Sequence, residues 1–81
     1  MKQRKQSKAV SLEFGNLIKH RREELGYTIK QVASEIHSSE SYISRIEGHK
    51  RNNPSICIVH GIAEVLEIDL RYLLEVAFSK E

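Results

Sequence analysis

The sequence predicts an all-α fold in which five short helices form one small domain. Five segments of the 81-residue chain carry apolar residues at helical spacing, and a residue that favours helix amino termini precedes each one. The chain has no Trp, one Pro and four Gly, a composition that favours helices over strands joined by turns. Its length and its hydrophobic content of 40% allow one core and are too small for two.

The amino terminus is expected to be a flexible basic arm over residues 1–10, because it holds few apolar residues. Its cations are Lys2, Arg4, Lys5 and Lys8. The first helix is predicted from its cap at Ser11 to about Leu25, and Gly26 is predicted to end it. The apolar residues of this helix are Leu12, Phe14, Leu17, Ile18 and Leu25.

The second and third helices are predicted to form a helix-turn-helix. Thr28 caps the second helix, which reaches about Ile36, and Ser39 caps the third, which reaches about Glu47. Their apolar residues are Ile29, Val32, Ala33 and Ile36 in the second helix and Ile43 and Ile46 in the third. Because only the three residues HSS join these short helices, the helices must cross at a steep angle.

The last two helices follow a loop, HKRNN, that Gly48 opens and Pro54 closes. Ser55 is predicted to cap a fourth helix that reaches Leu66, and Asp69 a fifth over residues 70–78. The fourth helix is expected to face inward with Ile56, Val59, Ile62, Ala63 and Leu66. The folded domain is therefore predicted over residues 11–78, with a short tail at 79–81.

The charges are distributed unevenly along the chain. Residues 1–51 hold eleven Lys or Arg and six Asp or Glu, whereas residues 52–81 hold two and five. This difference predicts a basic face for a polyanion and a second surface for another partner. The alternative is chance asymmetry on a solvated surface.

The outward face of the third helix is the candidate for reading DNA bases. With Ile43 and Ile46 directed to the core, the helical spacing places small polar side chains and one guanidinium on the opposite side. A helix with such a face fits a DNA major groove without steric conflict. The predicted base-reading residues are Ser41, Ser44 and Arg45 on this face, and Glu40 and Tyr42, which flank it near the amino end of the helix.

Further polar and cationic residues border this face, where DNA phosphates would run. Backbone N–H groups at the start of the second helix add partial positive charge. The predicted contacts to the DNA backbone are Thr28, Lys30, Ser39, His49, Lys50, Arg51 and Asn52. Each of these residues taken alone is better explained as a solvated side chain, and only their joint placement favours DNA binding.

Residues 12–75, and above all YISRIEGHKRNNPS, resemble the Xre family of helix-turn-helix regulators and within it the SinR-like branch. The resemblance implies a five-helix, lambda-repressor-like DNA-binding domain. It implies that Glu40, Ser41, Tyr42 and Arg45 contact bases or the nearby backbone. It also implies that Arg22 pairs with Glu47, a structural role, since a buried carboxylate without a partner is costly.

Three residues depart from the family pattern. Ile29 replaces a Gln whose amide contacts a phosphate, so that contact is lost. His37 occupies a turn position that usually holds Gly and must therefore tolerate a positive φ. Glu40 places a carboxylate where neutral amides are common, and a carboxylate can accept from the cytosine amino group. We therefore expect Glu40 to select cytosine or to exclude other bases.

Other classes of function have little support in the sequence. Cys57 is the only cysteine, so the chain forms no internal disulfide and a reducing cytoplasm is the expected compartment. Cys57 and His60 supply two potential metal ligands, which do not make a site. No catalytic grouping, glycine-rich phosphate loop, signal peptide or membrane span is recognisable. We expect no enzyme activity, no cofactor, no metal and no membrane contact.

The predicted function is that of a sequence-specific transcriptional regulator, a repressor that reads an inverted-repeat operator in bacterial or phage DNA at the nucleoid. The expected partners are double-stranded DNA, a second copy of the chain, and a protein antagonist or toxin. Homodimerisation is expected through apolar residues that the helical pattern leaves outward, Ile58, Tyr72 and Val76. Two alternatives stay open: an antitoxin or adaptor that uses the last two helices, and a restriction-modification controller protein.

Overall fold

The computed structural model describes residues 9–79, which form five α-helices and no strand. The helices are α1 (Leu12–Glu24), α2 (Ile29–Glu35), α3 (Glu40–Glu47), α4 (Ile56–Val65) and α5 (Leu70–Ala77). The all-α prediction is confirmed, and the predicted helix ends agree to within one residue. The cations of the predicted arm, at positions 2, 4, 5 and 8, lie outside the described residues. Within residues 9–79 there is no helix with the length and apolarity needed to cross a bilayer.

The predicted amino-terminal caps are all present. In each case the side-chain oxygen of the cap accepts a hydrogen bond from a backbone N–H in the first turn, and Thr28 also forms a reciprocal capping box with Gln31. The caps are Ser11, Thr28, Ser39, Ser55 and Asp69. The starts of the helices are therefore fixed by local hydrogen bonds that the sequence itself specifies.

The first four helices end in the same way, with a left-handed residue directly after the cap. These residues are Gly26, His37, His49 and Glu67, with φ of 77°, 57°, 60° and 56°. At each end the N–H of the following residue reaches back five positions, as in the bond from Ser38 to the Ala33 carbonyl at 2.8 Å, which is a Schellman arrangement. The positive φ predicted for His37 is confirmed.

The end of α3 agrees with the prediction that Gly48 ends this helix. Gly48 is the cap, with φ of −86°, and the left-handed residue that follows it is His49. A side chain in this region costs about 1–2 kcal/mol relative to the right-handed region. His49, like His37 and Glu67, is therefore held in place by the surrounding hydrogen bonds.

All five helices contribute to the core: α1 contacts α3 and α5, α2 contacts α3 and α4, and α4 contacts α5. Its largest fully buried side chains are Phe14, Ile18, Ile43, Ile46, Ile62, Leu66, Leu73 and Val32. The inward orientation expected of Ile56 is wrong, since 65% of this residue is exposed. Ile56 is the first residue of α4, so its side chain lies at the edge of the helix packing. Leu12, the first residue of α1, and Phe78, the cap of α5, are also exposed.

Gly15 sets how closely α1 approaches the end of α3. A Cβ at this position would lie 2.7 Å from the carbonyl oxygen of Ile46 and 2.9 Å from that of Glu47. Both neighbouring atoms belong to the backbone and cannot move aside without shifting α3. A residue without a side chain therefore allows the tight contact that orients α3 on the domain.

The start of α1 is attached to two other parts of the chain. The Ser11 hydroxyl donates to the Val76 carbonyl at 2.6 Å, and the Ser11 N–H donates to the Ala77 carbonyl. The Val10 N–H donates to the Asn52 carbonyl at 2.7 Å, and the Val10 side chain packs against the core. Val10 is thus part of the folded domain, although the arm was expected to include it.

Candidate nucleic-acid interface

The outward face of α3 is polar and exposed, and its side chains form no hydrogen bond or ion pair with the described part of the chain. Ser41, Ser44 and Arg45 are exposed, as is Glu40 in the first turn. None of these four side chains has a hydrogen-bond or ion-pair partner within residues 9–79. The exposure that the helical spacing predicted for this face is present, and its donors and acceptors remain available to a ligand.

The side chains on the inward face of the same helix are buried or paired within the protein. Ile43 and Ile46 are buried, and Glu47 accepts two hydrogen bonds from Arg22, at 2.7 Å from Nε and 3.0 Å from Nη2. The two side chains are only 11% and 7% exposed, and Arg22 also donates to the Tyr27 carbonyl. The pairing that the resemblance implied is therefore present. It fixes the end of α3 to α1 and to the start of the helix-turn-helix.

The same pair shifts the protonation equilibrium of Arg22. Hydrogen bonding to Glu47 raises the pKa of Arg22 above its ordinary value, against the opposing effect of burial. Because the folded pKa is the higher one, the contribution of Arg22 to stability is fully present below the ordinary pKa of Arg. It is lost only as the pH rises through the raised value.

The loop after α3 folds back over the end of that helix. The N–H groups of Lys50 and Arg51 both donate to the Arg45 carbonyl, at 2.8 and 3.0 Å. Lys50 and Arg51 are exposed beside the outward face of α3, which is where phosphate contacts were expected. His49 differs: it is partly buried, and its Nδ1 is buried without a hydrogen-bond partner in the described part of the chain.

Tyr42 occupies a different position from the other predicted base-reading residues. It is partly buried and packs against the core, so only part of its ring is available outside. The guanidinium of Arg51 lies over that ring, 5.0 Å from its centroid. Sequence reasoning missed this contact because residues nine positions apart, with a loop between them, show no periodic signal. The structure therefore brings one predicted base reader and one predicted phosphate contact together.

The start of α2 presents fewer free groups than expected. The capping box occupies the N–H of Thr28, at 2.8 Å, and that of Gln31, at 3.0 Å, so these two donors are already satisfied. Lys30 is exposed with no partner among residues 9–79, and Ser39 uses its hydroxyl to cap α3. Asn52 is partly buried, and its carbonyl is occupied by Val10.

The surface around α4 carries more carboxylates than the outward face of α3. An open groove of about 620 Å³ between α2 and α4 includes three carboxylates in its lining. Its residues are Tyr27, Lys30, Gln31, Ser34, Glu35, Glu64, Val65 and Glu67. Of the predicted dimer residues, Tyr72 is exposed, whereas Ile58 and Val76 are partly buried and Ile58 packs against the core. These three residues therefore offer a second subunit less apolar surface than the helical pattern indicated.

The two residues considered for metal binding, Cys57 and His60, belong to no larger group of potential ligands in the described part of the chain. Cys57 is exposed, and His60 lies 3.8 Å from Glu64 on the same helix. Among the described residues no three His, Cys, Asp or Glu side chains converge in a way that could hold a metal ion.

Comparison with known proteins places this geometry in a family. A family model described as a helix-turn-helix domain matches residues 15–77. The chain is 34% identical over 62 residues to the HTH-type transcriptional regulator SinR of Bacillus subtilis, a match that covers 76% of this chain and 56% of SinR. The chain thus spans about half the length of that relative.

Solved structures agree with this match. The amino-terminal DNA-binding domain of SinR from Bacillus subtilis superposes with a TM-score of 0.74 at 30% identity, over 85% of this chain and all of that one. SinR in complex with DNA gives 0.70 at 34% identity, over 75% and 97% of the two chains. SinR in its complex with the SinI protein gives 0.71 at 34% identity, over 76% and 60%.

A second kind of regulator has the same fold. The restriction-modification controller protein C.AhdI from Aeromonas hydrophila superposes with a TM-score of 0.70 at 26% identity, over 76% of this chain and 92% of that one. The family model matches most of the described residues, and the 34% sequence identity to SinR extends over 62 residues. The chain therefore belongs to the Xre-type helix-turn-helix domain family, and its folded part is homologous to the DNA-binding domain of SinR.

Proposed function

We propose that the chain is a sequence-specific DNA-binding transcriptional regulator that inserts α3 into the major groove. The observation that carries this proposal is the outward face of α3, where Glu40, Ser41, Ser44 and Arg45 are exposed and unpaired within residues 9–79. Contacts to base edges require hydrogen-bond donors and acceptors that other groups of the protein do not already occupy. A relative of the same fold has been solved with DNA.

The groups around α3 would hold the phosphate backbone. Lys30, Lys50 and Arg51 are exposed cations on the elements that border α3. Polar residues at the same edges would add hydrogen bonds to phosphate oxygens: Thr28, Ser39, His49 and Asn52. Cationic contacts of this kind release counterions from DNA and make the affinity depend strongly on salt. These contacts would set the register in which α3 reads the bases.

The regulator would act as a dimer on an inverted repeat. One short recognition helix supplies few base contacts, and specific binding usually needs more interface than a single such module buries. A two-fold pair would place two copies of α3 one DNA turn apart, about 34 Å. Repression by occupying a promoter is the mode that the family resemblance implies, in the bacterial cytoplasm on nucleoid DNA.

Selection of binding sites from random duplex DNA, followed by a salt titration on the selected duplex, tests this proposal. We expect a preferred half-site that recurs as an inverted repeat with centres about ten base pairs apart. The slope of log affinity against log salt should fall by about 0.9 for each phosphate contact. Failure to enrich any sequence, with equal affinity for random and selected duplexes, would overturn the proposal.

A second candidate function is binding of a protein partner by α4 and α5. The exposed Tyr72 on α5 and the carboxylates of Glu64 and Glu67 beside α4 favour it, since carboxylates repel DNA phosphates. SinR itself has been solved in a complex with the SinI protein. Tyr72→Ser separates the two functions: loss of a co-purifying partner with unchanged DNA affinity would assign this surface to protein binding, as in an antagonist or a toxin complex.

A further inference from the structure

The contact between Tyr42 and Arg51 joins a fixed ring to an exposed cation. The Cζ atom of Arg51 lies 5.0 Å from the centroid of the Tyr42 ring, within the range of a cation–π interaction. Tyr42 is partly buried in the first half of α3 and packs against the core, so that packing restrains its ring. The Tyr42 ring therefore supports the Arg51 guanidinium, which stacks on it.

The loop that carries Arg51 is fixed as well. Its backbone N–H donates to the Arg45 carbonyl at 3.0 Å, next to the bond from Lys50 at 2.8 Å. The side chain donates from Nε to Oδ1 of Asn53 at 3.3 Å. Arg51 is thus held at its backbone, at one donor of its guanidinium and at the face of the guanidinium plane. Such restraint is uncommon for an exposed cation, whose side chain ordinarily samples many rotamers.

The outer edge of this guanidinium is free. Within residues 9–79 no group accepts a hydrogen bond from Nη1 or Nη2 of Arg51. Stacking on a ring uses the face of the guanidinium and leaves its edge donors available, and the paired donors of Arg match the oxygens of a phosphate. An Arg that is already ordered also loses less conformational freedom on binding than a mobile one.

We infer that Tyr42 is a positioning residue that presents Arg51 to a DNA phosphate beside α3. This inference rests on the proposed function, because it assigns a role within the same DNA interface. It changes the role of Tyr42, which the sequence placed among the base-reading residues: the ring acts through Arg51, and the hydroxyl reads no base. Lys50, the adjacent cation, is exposed without a partner in the described chain and serves as the matched control.

Affinities for the selected duplex, measured over a salt series, test the inference. Tyr42→Phe keeps the ring and should bind within about twofold of the unchanged chain. Tyr42→Leu should bind about twofold to fivefold more weakly, as expected for loss of an exposed cation–π contact. Arg51→Ala should reduce the salt slope by about 1. The double variant Tyr42→Leu with Arg51→Ala should bind no more weakly than Arg51→Ala alone. In the control pair, Tyr42→Leu with Lys50→Ala, the two fold losses of affinity should multiply.

Two binding results would overturn the inference. One is that the losses from Tyr42→Leu and Arg51→Ala multiply in the double variant. The other is that Tyr42→Phe alters the base preference at one operator position, which would make the hydroxyl a base reader. Ring-current shifts of the Arg51 side-chain protons in the unchanged chain give an independent test, and their absence contradicts the stack even if Tyr42→Leu fails to fold. A chain that shows no preference for the selected duplex instead refutes the proposed function.

Discussion

The two faces of α3 differ in how many of their groups the protein itself uses. On the inward face, Ile43 and Ile46 are buried, and Glu47 is bound by Arg22 through two hydrogen bonds. On the outward face, Ser41, Ser44 and Arg45 have no partner among the described residues. An eight-residue helix is too short to be stable alone, so its order comes from the inward face. Changes on one face should therefore alter stability, and changes on the other should alter binding.

The largest expected effect is on the inward face, from Glu47→Ala. This change leaves the Arg22 guanidinium buried without its carboxylate, which typically costs about 3–5 kcal/mol of folding free energy. Chemical denaturation measures the loss. Glu24→Ala is the matched control, because Glu24 contacts Arg21 in an exposed pair that is 3.2 Å long. An exposed pair contributes about 0–1 kcal/mol. Equal losses for the two variants would show that the buried pair does not hold α3.

On the outward face, Arg45→Ala should weaken binding to the selected duplex by about 1–3 kcal/mol, the value of a good base contact. Its folding free energy should change by less than about 0.5 kcal/mol, since the side chain is exposed and forms no hydrogen bond or ion pair in the described structure. Arg71→Ala removes an equally exposed guanidinium from α5 and should leave DNA affinity unchanged. Similar losses of affinity for both variants would mean that total charge, and not the face of α3, determines binding.

Glu40→Gln tests what the carboxylate at the edge of the outward face contributes. We expect the preference at one position of the half-site to shift away from cytosine, because an amide both donates and accepts where the carboxylate only accepts. Glu40 also lies in the first turn of α3, where a negative charge stabilises the helix by about 0.3–1 kcal/mol. Repeated binding-site selection with the variant reads out the preference. An unchanged preference would leave only this helix-stabilising role.

The smallest expected effect is in the turn that joins α2 to α3. His37→Gly should stabilise the domain, raising the free energy of unfolding by up to about 1 kcal/mol. Gly adopts the left-handed conformation without strain, and its greater loss of entropy on folding offsets only part of this gain. Gly26→Ala, at φ of 77°, should have the opposite sign. Thermal denaturation compares the two variants. Destabilisation by His37→Gly would show that the histidine side chain contributes contacts that outweigh its backbone strain.

The features that could be predicted from the sequence are those that local chemistry determines. A Ser, Thr or Asp before each helix fixed where the helices begin, and the 3.6-residue period separated the buried Ile43 and Ile46 from the exposed Ser44. Gly48 correctly marked the end of α3. The left-handed residue after it was harder to predict, because hydrogen bonds hold His49 in a conformation that glycine adopts more readily.

The features that could not be predicted depend on how segments that are separate in the sequence pack against one another. The stack of Arg51 on Tyr42 exists because the loop after α3 folds back onto the Arg45 carbonyl, which no spacing rule indicates. The exposure of Ile56 likewise depends on where α4 begins relative to its neighbours. A helical pattern identifies a face, but only the packing decides how far along the helix that face is covered.

An NMR titration of the isotope-labelled chain with the selected duplex tests most directly whether the outward face of α3 is the DNA-reading surface. We predict the largest amide shifts at Ser41, Ser44 and Arg45 and in the loop over residues 49–51, with little change at Glu64 or Tyr72. Shifts concentrated on α4 and α5, with α3 unaffected, would contradict this account.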